Sequence, residues 1–407
     1  MSEHQAAPPG GAPISRTEFI ALMAMLAGTI AFSIDAMLPA LPDIAAATGA
    51  IDNREQFIIT AFVLGTGLGT FVTGPISDAV GRQKVVIAGS VIYSIAALVA
   101  AVSNSLEVIL AARVVQGFGA AGPRVAVLSI IRDLYSGRQM AKIVSFVMIV
   151  FALVPTIAPS LGAAMLLVFD WHAIFVSFAI FSIISVVWML MRLPETLPPE
   201  KRRPLRWDTL KSGTREVMTN RTVILSIVAQ SLAFGTLFGA LSASQSMFDQ
   251  AFDRAESFPL WFGGIAAVSA TGGFLNASIV ERLGMRSVVG WAFAGLSALS
   301  IVFVVLFVAG VLSGPLAFPL FILFQTVVFF NAGLTIGNLN ALALEPVGHI
   351  AGLAASLVTA SATIFGALLA APVTLLFDAT MLPLVGPIGL MAILGTLTVR
   401  AIPTVRD

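Results

Sequence analysis

A handful of ionisable side chains stand where a charge is expensive. Asp35 interrupts one long apolar run, Arg113 and Arg124 lie inside another, and Asp78 and Arg82 flank a short polar loop. A charge within an apolar stretch of membrane length is costly, and by default it marks a pathway, a relay or a paired counter-ion. Arg124 follows Arg113 by eleven residues. At about 100° per residue that is three helical turns plus about 20°, so both face one side of their helix, the side expected to line a cavity. Arg124 lies nearer the basic end, where snorkelling to the interface is the alternative. A carboxyl sheltered from water near an arginine can be poised to take up and release a proton, which is one reading of Asp35; a side chain wetted at the outer end of its helix is the other. These residues suit proton transfer and ligand pairing rather than bond-making. The absence of cysteine excludes disulfides, thiolate metal sites and Cys nucleophiles. His4, His172 and His349 are too scattered to suggest a metal cluster. No H-E-x-x-H, G-x-S-x-G or Walker loop occurs, so neither an enzyme nor an ATP-driven pump is indicated, and no cofactor or metal is expected. Gly117-Phe118-Gly119-Ala120-Ala121-Gly122 matches G-x-G-x-x-G, but it lies in an apolar helix without a preceding strand, where small-residue packing explains it better.

The elements that carry these residues follow from composition. The 407 residues are 58% hydrophobic and 11% charged, and mean hydropathy is +0.98. Soluble chains are typically about 25% charged. So little charge cannot clothe a surface in water, whereas lipid needs none. Apolar runs at 18–41, 55–77, 85–103, 107–131, 141–167, 172–193, 222–247, 258–280, 285–310, 315–342, 349–377 and 382–402 predict an all-α membrane protein with about twelve spans of about 20 residues. Of the 22 Lys and Arg, 18 fall on the side of the N-terminus, only Arg54 and Arg254 fall on the opposite side, and two lie within a span. The positive-inside rule then places both termini in the cytoplasm. The nearly uncharged segment 1–16 reads as a disordered tail, 17–193 as one six-helix half, 194–221 as a cytoplasmic linker and 222–402 as a second half. A repeat supports the division: Asp78-Ala79-Val80-Gly81-Arg82 lines up with Glu281-Arg282-Leu283-Gly284-Met285 at an offset of 203. Two such parallel halves around a central cavity form a transporter architecture.

Several segments resemble one family. Gly74-Pro75-Ile76-Ser77-Asp78-Ala79-Val80-Gly81-Arg82-Gln83-Lys84 resembles the signature loop of the major facilitator superfamily, G-x-x-x-D-x-x-G-R. The resemblance implies that Asp78 and Arg82, with Gly74 and Gly81 shaping the loop and Asp133 as third partner, form a cytoplasmic latch stabilising an outward-facing state. The second-half copy has Met285 in place of the arginine. Arg113-Val114-Val115-Gln116-Gly117 resembles the R-x-x-Q-G motif of proton-coupled drug exporters, which implies a proton-coupling role for Arg113. Asp35-Ala36-Met37-Leu38-Pro39-Ala40-Leu41-Pro42 resembles the first span of the Bcr/CflA-like drug-resistance branch, with Met37 replacing a tyrosine. Pro155 to Gly162 resembles the antiporter motif of the fifth span, keeping Pro159 and Gly162 but losing most of its glycines. A proline kink there is expected to let this span pack against a neighbour across the halves.

The resemblance implies a major facilitator fold of 12 transmembrane helices in two pseudo-symmetric halves. It also implies proton-coupled efflux of small amphipathic drug-like or metabolite compounds, and hence antibiotic resistance. The expected setting is a bacterial inner membrane, the energy source a proton gradient, and the partners a small-molecule substrate, protons and the lipid bilayer. No nucleic acid is expected, and the unit is expected to be a monomer. The alternative on the same fold is a facilitator or proton symporter of one small metabolite, which predicts more cavity charge in both halves than the second half carries.

Overall fold

The computed structural model describes residues 12–51, 53–202, 207–310 and 314–403. The first half comprises α1 (Arg16–Asp35) with a short continuation α2 (Leu41–Thr48), then α3 (Phe57–Val80), α4 (Arg82–Ala101), α5 (Leu106–Leu134), α6 (Gly137–Leu166) and α7 (His172–Arg192). A linker helix, α8 (Trp207–Thr219), leads to α9 (Arg221–Ser246), α10 (Phe258–Leu283), α11 (Met285–Val308), α12 (Ala317–Leu344), α13 (Ala351–Leu375) and α14 (Leu382–Ala401). Among the described residues, 11 stretches are long and apolar enough to cross a bilayer, and the longest, Ala317–Leu375, holds two helices split by a turn at Glu345–Ile350. The chain is therefore an all-α multi-pass membrane protein of two six-helix halves.

In the first half α5 stands between α3 and α1, α6 flanks α1, and α4 and α7 lie behind; α9 to α14 repeat the pattern. Small residues allow the close approach. A side chain on Gly117 would collide with the Phe62 carbonyl of α3, and one on Gly119 would come within 2.5 Å of the Gly89 carbonyl of α4. The glycine-rich run of α5 is a packing surface on both flanks.

The expected first span, 18–41, is broken. α1 stops at Asp35 and resumes through a 3-10 turn at Leu38–Ala40 into α2. Pro39 has no N–H, so the Asp35 carbonyl loses the donor four residues on. The expected tail lies outside the described residues as far as Gly11. Of the residues described after it, Ala12 is 6% exposed and its N–H points to the Tyr135 hydroxyl at 3.4 Å. Arg203 and Arg206 of the linker also lie outside the described residues. The rest of the linker contains α8, whose Val217 packs with Val223, Ala354 and Val358 while Lys211 and Arg215 stay exposed.

The halves meet along α3–α13 and α6–α10. At the end away from the termini, Gln56 donates to Ser246 at 2.9 Å and Gln250 to Asn53 at 2.9 Å, while Gly263 of α10 sits against the Thr156 carbonyl of α6. Toward the basic end α3 and α13 stay in touch, with the space beside Gly74 filled by Ser356. There α6 exposes Phe146, Met148, Ile149 and Val150, and α10 exposes Phe274 and Leu275. The cavity between the halves opens at the basic face.

Candidate functional site

Arg113 sits at the centre of the first half, 0% exposed. Its guanidinium donates to the Ser33 carbonyl of α1 at 3.0 Å, to the Ile58 carbonyl of α3 at 3.2 Å and to Gln116 Oε1 at 2.8 Å. One face lies over the Phe62 ring, 4.1 Å from its centroid. Every acceptor is neutral; carbonyl dipoles and a ring face carry the charge in place of a carboxylate. The Ser33 and Tyr93 hydroxyls hydrogen-bond beside it. Arg113 does not face the cavity as its spacing suggested, because α1 and α3 close over it.

Asp35 ends α1, is 4% exposed, and has no hydrogen bond or ion pair with any described residue. Its burial removes the reading of a side chain wetted at the outer end. It lies two residues past Ser33, about 200° round the helix, so the structure does not join Asp35 and Arg113 in an ion pair.

Arg124 does share the face of Arg113, one layer nearer the basic end. Gly117 presses on α3 and Gly119 and Gly122 on α4, so the sector holding Arg124 is turned toward the space between the halves. It is partly exposed, and Leu128 one turn on is 49% exposed.

The loop after α3 is a closed cluster. Arg82 donates from Nη1 to Asp78 at 2.6 Å and to Ser77 at 3.0 Å, and from Nε to Asp133 of α5 at 3.0 Å. Glu195, from the linker, accepts the backbone N–H groups of Arg82 at 3.0 Å and Gln83 at 3.1 Å, capping the start of α4. Gly81 has φ 109°, and a Cβ there would lie 2.5 Å from a Glu195 oxygen. The cluster joins α3, α4, α5 and the linker within one half, and it is complete while the basic face is open. In the second half Met285 stands at the equivalent position, and the neighbouring Arg286 donates to the Val399 and Arg400 carbonyls that end α14, at 3.2 and 2.7 Å.

Pro155 and Pro159 lie within α6. Gly162 packs on the Ala36 carbonyl at the break after α1, within its own half; the contact across the halves is made by Thr156, between the two prolines. The expectation of a cross-half contact therefore holds for the proline turn and not for the glycine.

Two acids escaped notice in the sequence. Glu195 is one of four acids in the linker, with Glu200, Asp208 and Glu216, so nothing in the sequence singled it out. Glu55 begins a span and reads as an ordinary helix-start acid, yet it is 5% exposed and lines a 180 Å³ cavity between the halves with Asp249, Ser246 and Gln250. Only the docking of the second half buries it. Among the described residues no group of His, Asp and Glu could hold a metal.

A family model described as the Major Facilitator Superfamily matches residues 20–371. The chain belongs to the major facilitator superfamily. It is 29% identical to an uncharacterized MFS-type transporter, YdgK, of Bacillus subtilis, over 92% of this chain and 93% of that one. It is 27% identical to a bicyclomycin resistance protein homolog of Haemophilus influenzae, over 93% and 94%. Among solved structures it is similar to the xylose transporter XylE from E. coli in a partially occluded inward open conformation, with a TM-score of 0.74 at 11% identity, covering 96% of this chain and 99% of that one. That likeness shows the fold alone. As a member of this superfamily the chain is a transporter of small molecules and not an enzyme, and its relatives include proteins named for antibiotic and multidrug resistance.

Proposed function

We propose that this transporter exports small amphipathic compounds across the bacterial inner membrane in exchange for protons, with both termini in the cytoplasm. The excess of Lys and Arg on one face supports that orientation, which makes the observed cavity inward-facing. The observation that carries the coupling is Asp35, a buried carboxyl at a break in α1 that forms no hydrogen bond or ion pair with any described residue. A proton on Asp35 cancels an unpaired buried charge, and wetting of the break as the outer end opens lets the proton exchange. Arg113 ties α1 to α5 in the same layer through the Ser33 carbonyl, so a movement at Asp35 is felt at Arg113. Binding from the cytoplasm, closure of the basic face, release outside and proton loading complete the cycle. The Asp78–Arg82–Asp133 clamp fixes the ends of α3, α4 and α5 as one body, and its docking on the second half when the basic face closes serves as the latch of the outward-facing state.

The test is Asp35→Asn in proteoliposomes with an imposed pH gradient. Gradient-driven export falls at least tenfold, while exchange of labelled for unlabelled substrate without a gradient persists. Wild-type export in the variant refutes Asp35 as the coupling site. Drug accumulation tests the direction of transport: cells expressing the protein should hold less compound until an uncoupler is added.

A further inference from the structure

We propose that the cavity recognises amphipathic organic anions, and that Arg124 is the residue pairing with their negative group; this inference deepens the exporter reading and rests on it. Arg124 occupies the sector of α5 between its contacts with α3 and α1, directly opposite α4, and so borders the space between the halves. It is partly exposed well inside a membrane helix and forms no hydrogen bond or ion pair with any described residue.

No acid answers it from the walls. α6, α7, α9, α12 and α13 contain no Asp or Glu. On α1, Glu18 is bound to Arg192 at 2.6 Å, and Asp35 belongs to the layer of Arg113, about 16 Å along the axis from Arg124. On α3 and α5, Asp78 and Asp133 are taken by Arg82. Glu107 lies at the far end of α5 beside Arg54, and Glu281 at the basic end of α10. Glu345 stands beyond the basic end of α12, in the turn that leads to α13.

A membrane protein keeps an unpaired cation at such depth at considerable cost. Arg113 shows how this chain neutralises a structural arginine, by surrounding it with carbonyls and a ring. Arg124 has no such cage and meets the open cavity. A carboxylate, sulfonate or phosphate on an amphipathic substrate completes it, since a guanidinium binds these groups through paired hydrogen bonds, while the apolar body of the substrate rests on exposed side chains such as Leu128 and Phe146. A cationic substrate is repelled by the same field.

The experiment is equilibrium binding of radiolabelled 2-naphthoate to the purified full-length protein in detergent at one pH, with competition by 2-naphthamide, which has the same shape without charge, and by 2-naphthylmethylammonium. The carboxylate binds at least tenfold tighter than either competitor. Arg124→Gln removes the preference and Arg124→Lys keeps most of it. Equal binding of carboxylate and amide by the wild type, preference for the cation, or no carboxylate binding at millimolar concentration overturns the proposal, and these outcomes need no variant to fold. A preference surviving in Arg124→Gln also overturns it. Because no gradient is present, a failure of proton coupling leaves this result unchanged. Conversely, gradient-driven export of neutral drugs by a wild type that shows no anion preference sinks the anion reading and leaves export standing.

Discussion

The two halves solve one mechanical problem with different chemistry. In the first half Arg113 of α5 reaches the Ser33 carbonyl of α1; in the second, Gln325 of α12 reaches the Ala240 carbonyl of α9 at 3.0 Å and Ser244 at 2.5 Å. Both are buried donors tying the fourth helix of a half to its first. An amide suffices for the tether, so the charge of Arg113 is surplus to packing. The same holds at the basic face, where Arg82 is clamped by two carboxylates while Arg286 caps carbonyls. The second half stacks amide on amide, with Asn338 donating to Asn276 at 2.7 Å. Buried charge is thus concentrated in one of two matched halves.

The sharpest break of this comparison is the pair Arg113→Ala and Gln325→Ala. The first abolishes gradient-driven export; the second lowers thermal stability by about 1–3 kcal/mol through the lost buried hydrogen bonds and leaves export within a fewfold of wild type. Equal loss of transport in both would reduce Arg113 to a tether. Next in size, Asp78→Ala moves the protein toward the inward-facing state, read as longer distances between spin labels on the basic ends of α6 and α10; an unchanged distribution removes the latch role. Gly81→Ala and Gly284→Ala separate strain from collision. Both backbones have positive φ, 109° and 79°, but a Cβ at Gly284 meets nothing within 4 Å whereas one at Gly81 meets Glu195. Gly284→Ala should cost about 1–3 kcal/mol for a positive-φ backbone region that is sparsely populated by other residues, and Gly81→Ala measurably more in the same thermal assay. The smallest effect is Asn338→Leu, about 0.6 kcal/mol, the usual scale of a hydrogen bond between membrane helices. Loss of transport in that variant would show that the second half is not merely a neutral body.

Much of this architecture was legible from residue order because lipid imposes a simple rule: each crossing must be apolar and must satisfy its backbone internally. Span number, the division at 194–221 and the 203-residue repeat follow from that rule, and Gly81 and Gly284 reappear as paired left-handed turns. The α1 break was harder to see, since prolines are tolerated in membrane helices, and Pro39 had to be combined with packing to end the helix at Asp35.

Residue order by itself determined that this chain lives in the bilayer as two related six-helix halves, and which few charges it commits to the apolar interior. Helical spacing could also place Arg113 and Arg124 on one face. Their difference arises from packing, because exposure depends on which neighbour covers each layer of that face. α1 and α3 close over Arg113 and supply its carbonyls, while the parting of α6 from α10 leaves Arg124 in the cavity. Glu55 is the same lesson in reverse: its burial comes from the other half of the molecule, roughly 190 residues away in sequence, a distance no local pattern spans.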